Sequence, residues 1–77
     1  MTVQVRFFAS LRERLGIEDT QISLPADATV TDVWRQVLGE AEMPANTLVA
    51  INQDYATPDA PVRDGDEVAF FPPVTGG

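Results

Sequence analysis

The sequence closes on a pair of glycines placed shortly after a pair of prolines. Gly76-Gly77 carry no Cβ, so a segment ending in them can lie flat in a slot too narrow for other residues. Pro72-Pro73 favour a stiff, extended exit from the preceding element. We therefore expect a 1–71 domain followed by an extended, flexible tail over residues 72–77 that is aimed outward. This tail consists of Pro72, Pro73, Val74, Thr75, Gly76 and Gly77.

The side chains themselves offer little catalytic chemistry. None of the 77 residues is a cysteine or a histidine, which removes the commonest metal ligands and the usual nucleophiles and bases. Asp64-Gly65-Asp66 has the composition of a turn, and no acidic spacing matches a calcium loop. We expect no metal site and no cofactor bound by the chain, so the tip of the tail is the candidate reactive part.

Length and charge limit the classes of partner. The 77 residues suffice for one domain with a small core, and 44% of them are hydrophobic. Twelve acidic residues against five basic ones give a net charge of −7. Nucleic acid and anionic membranes repel such a surface, whereas a partner with a basic face attracts it. No apolar run is long enough to span a bilayer, and the residues after Met1 alternate like a strand rather than a signal peptide. We expect a cytoplasmic protein that binds neither nucleic acid nor membrane.

The hydrophobic pattern predicts an α+β domain. Alternating or β-branched runs predict strands over residues 2–8, 20–24, 48–51 and 67–71. Asn52-Gln53-Asp54 is expected to form a turn after the third of these. A mixed sheet of about four to five strands, covered on one face by a helix, is the simplest packing. The first and last long strands are expected to be central neighbours.

Two helices are predicted from capping and periodicity. Apolar residues at 30, 33, 34, 37 and 38 follow one face of a main helix. Thr29 and Asp32 form its capping box, and it is expected to run to about Glu42. A shorter helix is expected to begin after Ser10, with Glu13 completing a second capping box, and to stop at Gly16.

Residue parity places two phenylalanines on the outer sheet face. On the last strand, Phe71 shares a face with Glu67, which should be solvated, while Phe70 points to the other side. Phe8 shares its face with Arg6 in the same way. Burying each ring would contribute about 1.5–3 kcal/mol, so an apolar pair left beside the tail indicates a partner. The alternative is a bulge or loop that covers one of the rings.

The chain resembles the small subunit of molybdopterin synthase. Residues 5–13 (VRFFASLRE) and 49–53 (VAINQ) support the resemblance, and residues 64–77 (DGDEVAFFPPVTGG) are its most specific part. The resemblance implies the ubiquitin-like β-grasp fold. It also implies that a ubiquitin-activating-like adenylyltransferase uses ATP to adenylate the Gly77 carboxylate, and that a sulfur donor converts it to a thiocarboxylate. The tail would then enter the large synthase subunit, where the sulfur attacks cyclic pyranopterin monophosphate; two deliveries make the molybdopterin dithiolene.

Further roles follow from the same resemblance. Positions matching Phe8, Tyr55 and Phe71 pack against partners in that family. The base, the phosphate-binding groups and the catalytic pocket would lie in the large subunit, so the chain is an enzyme component, a sulfurtransferase subunit, only within a heterotetramer of two small and two large subunits.

Three alternatives remain open from the residues. A thiamine-pathway sulfur carrier shares the fold, the Gly-Gly end and the activation chemistry, but its tail usually lacks the Phe-Phe-Pro-Pro run. A ubiquitin-like protein modifier would be conjugated to lysines of its targets; this chain has no lysine and cannot build lysine-linked chains on itself. A passive interaction domain would be indifferent to the loss of Gly77.

Overall fold

The computed structural model describes residues 1–8, 12–13, 16–39, 43 and 47–72. Within them the chain forms five strands and one helix: β1 Thr2–Phe7, β2 Asp19–Ser23, α1 Val30–Leu38, β3 Leu48–Ile51, β4 Asp54–Ala56 and β5 Glu67–Phe71. The strands make one sheet in the order β2-β1-β5-β3-β4. β1 and β5 run parallel, and the other neighbouring pairs are antiparallel. The predicted mixed sheet and the central pairing of the first and last long strands are confirmed.

The turn expected over Asn52-Gln53-Asp54 is wrong at its last residue, because Asp54 begins the strand β4. Only Asn52 and Gln53 form the turn, and Asp54 already pairs with Ile51. Both turn residues have positive φ, 52° and 73° respectively, which is the conformation that a two-residue hairpin requires. Asn tolerates this conformation, and its amide nitrogen donates to Asp66 Oδ1 at 2.9 Å. The hairpin therefore closes one residue earlier than the polar composition indicates.

The core lies between the helix and the inner face of the sheet. Phe7 and Phe70 pair in register on adjacent parallel strands, and their ring centroids are 5.4 Å apart. Trp34 of α1 packs edge-on against both rings, with centroids at 6.0 Å from Phe7 and 5.0 Å from Phe70. Valines surround this aromatic cluster: Val3, Val5, Val30, Val33, Val49, Val62 and Val68 are all buried. The inward-facing parity predicted for the first and last strands is thus confirmed.

The main helix begins as expected but ends earlier. The Asp32 carboxylate accepts hydrogen bonds from the Thr29 backbone N–H at 2.8 Å and from its hydroxyl at 3.2 Å, so the predicted capping box is present. The expected extension to about Glu42 is wrong, since α1 ends at Leu38. Gly39 takes a φ of 66° and donates its N–H to the Arg35 carbonyl at 2.8 Å. Glycine adopts a positive φ without steric cost, which makes it an effective helix stop.

Part of the short first helix is also described. Arg12 and Glu13 are helical, and Gly16 has a φ of 68° and donates its N–H to the Arg12 carbonyl at 3.0 Å. Ser10, where the helix was expected to begin, lies outside the described residues. In the described part of the chain, the one complete helix has only nine residues, and none is long and apolar enough to cross a membrane.

Candidate functional site

The two phenylalanines expected on the outer face do lie there, side by side. Phe7 and Phe70 are register partners with side chains turned into the core, so Phe8 and Phe71, the next residues along, point to the opposite face. The Phe8 N–H donates to the Phe70 carbonyl at 3.2 Å, which continues the pairing. The rings of Phe8 and Phe71 stack at 4.7 Å with an interplanar angle of 9°. Both residues are half-buried, and the register between β1 and β5 is regular, without a bulge.

Two alanines form a floor beside this stack. Cross-strand register aligns Arg6, Ala69, Ala50 and Tyr55 in one row across four strands of the outer face. Ala50 and Ala69 are each 6% exposed, yet neither belongs to the core cluster under the helix. Because the alanines are short and their neighbours are long, the face is hollowed into a shallow depression of about 260 Å³. We call this surface the outer-face patch; it consists of Phe8, Ala50, Tyr55, Ala69 and Phe71.

Tyr55 forms the far wall of the depression. It lies on β4 opposite Ala50 and is 80% exposed.

Leu48 is the register partner of Phe71 and so shares its face. The sequence interpretation did not include Leu48 or Ala50, because all four residues of Leu48–Ile51 are apolar and their pattern does not distinguish the two faces. Assigning Leu48 and Ala50 to the outer face required the pairing of β3 with β5.

An ion pair lines one side of the patch. The Arg6 guanidinium lies 5.5 Å from the centre of the Phe8 ring, and one of its nitrogens is 3.8 Å from a Glu67 carboxylate oxygen. The two side chains are 45% and 35% exposed, so this long ion pair contributes little to stability in water. A partner covering the patch must supply hydrogen-bond acceptors to Arg6, because desolvated guanidinium N–H groups are costly when unpaired.

Hydrogen bonds fix the loop that leads into β5. Asp66 accepts from the Arg63 backbone N–H at 2.7 Å, and the side-chain oxygen of Asn52 accepts from the Glu67 N–H at 2.9 Å. Asp64 accepts from the Thr2 N–H at 2.7 Å. The acidic residues here serve the turn, as the sequence interpretation held. Across the described ranges no three metal-ligating side chains are grouped together.

The start of the tail follows the patch directly. β5 ends at Phe71, and Pro72 comes next as a half-buried residue outside the strand. The remaining predicted tail residues, Pro73, Val74, Thr75, Gly76 and Gly77, lie outside the described residues, so the 1–71 and 72–77 division stays a prediction. The structure brings Phe8 and Phe71 into contact at the end of the strand that leads to this segment. Tyr55 lies on the same face, across the alanine floor.

Comparison with known proteins gives a consistent family. The model of the ThiS family matches residues 5–77. The chain is 38% identical to the molybdopterin synthase sulfur carrier subunit of Escherichia coli (strain K12), over 97% of this chain and 99% of that protein. Its fold matches the small archaeal modifier protein 1 of H. volcanii with a TM-score of 0.82 and 27% identity, over 95% of this chain and 98% of that one.

A further structural relative was solved together with a partner. It comes from the protein–protein complex of subunits 1 and 2 of the molybdopterin-converting factor from Helicobacter pylori 26695, with a TM-score of 0.66, 29% identity and full coverage of both chains. The fold, the family match and these relatives agree with one another. The chain belongs to the ThiS family, has the ubiquitin-like β-grasp fold and is similar to molybdopterin synthase sulfur carrier subunits.

Proposed function

We propose that this chain is the sulfur-carrying small subunit of a molybdopterin synthase. The observation that carries the proposal is the stacked Phe8–Phe71 pair at the end of β5, the strand that leads into the Gly-Gly segment, in a chain of the ThiS family. In this proposal the apolar contact surface lies next to the thin, reactive tail. A partner that covers the Phe8–Phe71 stack therefore also binds the Gly-Gly segment.

The proposed chemistry begins at the Gly77 carboxylate. A carboxylate is a poor acyl donor because oxide is a poor leaving group. The carboxylate oxygen therefore attacks the α-phosphorus of ATP on an adenylyltransferase, and pyrophosphate leaves. A sulfur donor then attacks the acyl carbon, and AMP departs with the bridging oxygen. The product is a thiocarboxylate in which one carboxylate oxygen has been replaced by sulfur.

Delivery of the sulfur uses the partner's groups. A sulfur anion is a strong nucleophile, as thiolates are. In the large subunit it attacks a side-chain carbon of the cyclic pyranopterin monophosphate, and a C–S bond forms as the C–O bond at that carbon breaks and its oxygen leaves as water or with the phosphate. Water then cleaves the acyl–sulfur bond, so the sulfur stays on the pterin and the Gly77 carboxylate is restored. Two such deliveries supply the two sulfurs of a dithiolene. The general base and the phosphate-binding groups belong to the large subunit in this scheme, because the chain contains no histidine, cysteine or lysine and none of its five arginines lies in residues 72–77.

The outer-face patch is the proposed docking surface for the large subunit and for the adenylyltransferase in turn. Phe8 and Phe71 are only half-buried, so a partner can remove more of their apolar area from water, at about 25 cal/mol per Å². The stack is already formed, so little side-chain entropy remains to be lost on docking. The net charge of −7 favours partners with basic faces, and we place the reaction in the cytoplasm.

A second candidate function is protein modification. It is favoured by the match to the small archaeal modifier protein 1 of H. volcanii at a TM-score of 0.82. The activated Gly77 would then be transferred to a lysine amine rather than to sulfur. A thiamine-pathway sulfur carrier is the other candidate, since the activation chemistry is shared and only the acceptor of the sulfur differs.

Intact-mass spectrometry tests the proposal. The protein is incubated with the activating enzyme, ATP and a sulfide source, and we expect the mass increase of one oxygen-to-sulfur replacement. The matched control lacks Gly77 and should gain no mass. The sulfur-loaded protein is then offered to cyclic pyranopterin monophosphate with the large subunit, to a thiazole synthase, or to lysate proteins. Dithiolene formation only in the first mixture supports the proposal, whereas full synthase activity of the variant lacking Gly77 refutes the carrier role.

A further inference from the structure

The strand β2 forms one edge of the sheet, because β1 is its neighbour on one side and no described strand pairs with it on the other. The opposite edge, β4, has only three residues. β2 has five residues, contains no proline and keeps a regular register with β1. Prolines, bulges, very short length and charged side chains are the usual protections of sheet edges. β2 has only the last of these four, the carboxylate of Asp19.

The hydrogen-bonding pattern shows which backbone groups of β2 face outward. Leu24 exchanges hydrogen bonds with Met1, each at 2.8 Å, and the Glu18 carbonyl accepts from the Phe7 N–H at 2.9 Å. In a regular antiparallel pair these residues alternate with residues turned away from the neighbour. Asp19, Gln21 and Ser23 therefore direct their N–H and C=O groups to the free edge. All three side chains are exposed.

A groove runs beside this edge on the inner side of the sheet. It has a volume of about 440 Å³ and lies between β2 and α1. Ile17, Ile22 and Val37 give it an apolar lining, and each of them is only half-buried. In a strand added beside β2, alternate side chains would point into this groove and the others would point to the outer face. The edge supplies backbone hydrogen bonds and the groove supplies side-chain selectivity.

Charge decides between the possible occupants of the edge. Glu18 and Asp19 are exposed at its beginning, and the nearby Arg12 pairs with Glu18 at 3.8 Å through largely exposed side chains. A second copy of the chain would bring another net charge of −7 against these carboxylates. A segment with basic residues gains from the same field.

We propose that the β2 edge binds an extended, basic peptide segment of another protein by strand addition. The residues of the segment that face the groove are β-branched and contact Ile22 and Val37. The residues that face outward are arginine or lysine, and they lie near Asp19. Main-chain hydrogen bonds to Asp19, Gln21 and Ser23 provide affinity, as in other cases of strand addition. The added strand lies in the plane of the sheet and leaves the outer-face patch uncovered.

The test uses the synthetic peptide acetyl-Arg-Ile-Arg-Val-Arg-amide and the full chain. In an NMR titration we expect the amide signals of Asp19, Gln21 and Ser23 to shift and their hydrogen exchange to slow. The same peptide with glutamates in place of the arginines should bind more weakly. Raising the salt concentration should reduce this difference, because exposed charges are screened.

A pair of variants at Gln21 tests whether the peptide binds through the backbone of the β2 edge. Gln21→Pro removes an outward N–H without breaking a bond to β1, a position at which edge strands accept proline. We expect it to lower the affinity about tenfold or more, since the bound peptide loses a main-chain hydrogen bond and meets the proline ring. Gln21→Val keeps the N–H and should bind normally. Asp19→Arg is a second variant that leaves the backbone intact and should reverse the preference for the basic peptide.

Three outcomes overturn the proposal. Equal binding by folded Gln21→Pro and the parent protein, with circular dichroism as the check on folding, excludes strand addition. Shifts confined to Phe8, Tyr55 and Phe71 place the peptide on the outer-face patch instead. A concentration-dependent dimer in sedimentation, with the β2 amides shifted in the absence of peptide, shows that a second copy occupies the edge.

Discussion

Neighbouring phenylalanines on β5 should respond in opposite ways to alanine substitution, because they lie on opposite faces of the sheet. Phe70 is fully buried and its ring contacts both Phe7 and Trp34. Phe71 is half-buried on the outer face and stacks on Phe8. The two positions share strand, residue type and sequence neighbourhood. A difference in stability or binding between Phe70→Ala and Phe71→Ala is therefore caused by the face on which each ring lies and not by the local backbone.

The expected magnitudes follow from these contacts. Phe70→Ala leaves a cavity in the aromatic cluster and should lower the free energy of unfolding by about 3–5 kcal/mol. An outward position alone predicts a loss within about 0.5 kcal/mol for Phe71→Ala. The stack with Phe8 raises the expected loss to about 1 kcal/mol, the usual contribution of an aromatic pair. A domain of this size has a marginal stability, so Phe70→Ala should be largely unfolded at temperatures where Phe71→Ala is still native.

Affinity for the large subunit should show the reverse order, with the larger loss in Phe71→Ala. A partly exposed aromatic that becomes buried at an interface typically contributes more than about 1–2 kcal/mol. Phe71→Ala should therefore weaken binding to the large synthase subunit by about tenfold or more, while the folded fraction of Phe70→Ala binds with nearly parental affinity. Leu48→Ala is a useful companion, because Leu48 is the register partner of Phe71 on the outer face.

Urea melts give the free energies of unfolding, and isothermal titration at a temperature where both variants are folded gives the affinities. Tyrosine and tryptophan fluorescence can follow the melts, since Trp34 lies in the cluster that Phe70→Ala disturbs. If Phe71→Ala unfolds the domain while Phe70→Ala only weakens binding, the register of β5 is wrong by one residue and the outer-face patch must be redrawn. If both variants lose stability equally, the patch is structural rather than a docking surface.

The remaining predictions concern the tail, the assembly, the hairpin and one carboxylate. Gly76→Leu should leave the thermal melt unchanged and abolish sulfur transfer, because a side chain at the tip obstructs a narrow slot; retained activity in the synthase assay would contradict this. The isolated chain should sediment as a monomer and enter a two-plus-two assembly only with the large subunit; a stable homodimer through the outer-face patch would refute it. Gln53→Gly should raise the free energy of unfolding by up to about 1 kcal/mol, as Gln53 has a φ of 73° that glycine adopts without strain, measurable by urea melts. The Thr57 hydroxyl donates to Asp59 at 2.6 Å and holds the pKa of that carboxyl below its usual value. This contact stabilises the fold above the ordinary pKa and is lost as the pH falls through the lowered one, so Thr57→Ala should raise the pKa of Asp59 in an NMR titration.

Local pattern was sufficient for most of the fold. The strands Leu48–Ile51 and Glu67–Phe71 have the predicted bounds, because short apolar runs between turn residues mark both ends. The strand β4 was not predicted, because three residues are too few to show an alternating pattern and aspartate, as at Asp54, is common in turns. The early end of α1 is signalled by Gly39, whereas the spacing of the apolar residues favours a longer helix; the glycine stop prevails.

Some features of the candidate site could likewise be predicted from the local sequence, and others depend on the pairing of distant strands. Parity along one strand was enough to turn Phe8 and Phe71 outward, because side chains alternate strictly. The place of Tyr55 came only from the resemblance. Its row with Ala50, Ala69 and Arg6 depends on the pairing of β4 with β3, and on the pairing of β5 with β3 and β1. Pairings between distant segments are set by the packed fold and leave no periodic trace in any one of them.

The parallel pairing of β1 and β5 is what joins these pieces into a site. Parallel neighbours end at the same edge of a sheet, so Phe8 at the end of β1 and Phe71 at the end of β5 meet where the chain continues into Pro72. An antiparallel pairing of the same two strands would have put the two rings at opposite ends of the sheet, with no contact between them. The apolar pair would then mark two separate surfaces, and only one would adjoin the tail. If the chain acts as the carrier proposed above, docking of a partner on the stack is coupled by topology to the strand that leads into the Gly-Gly segment.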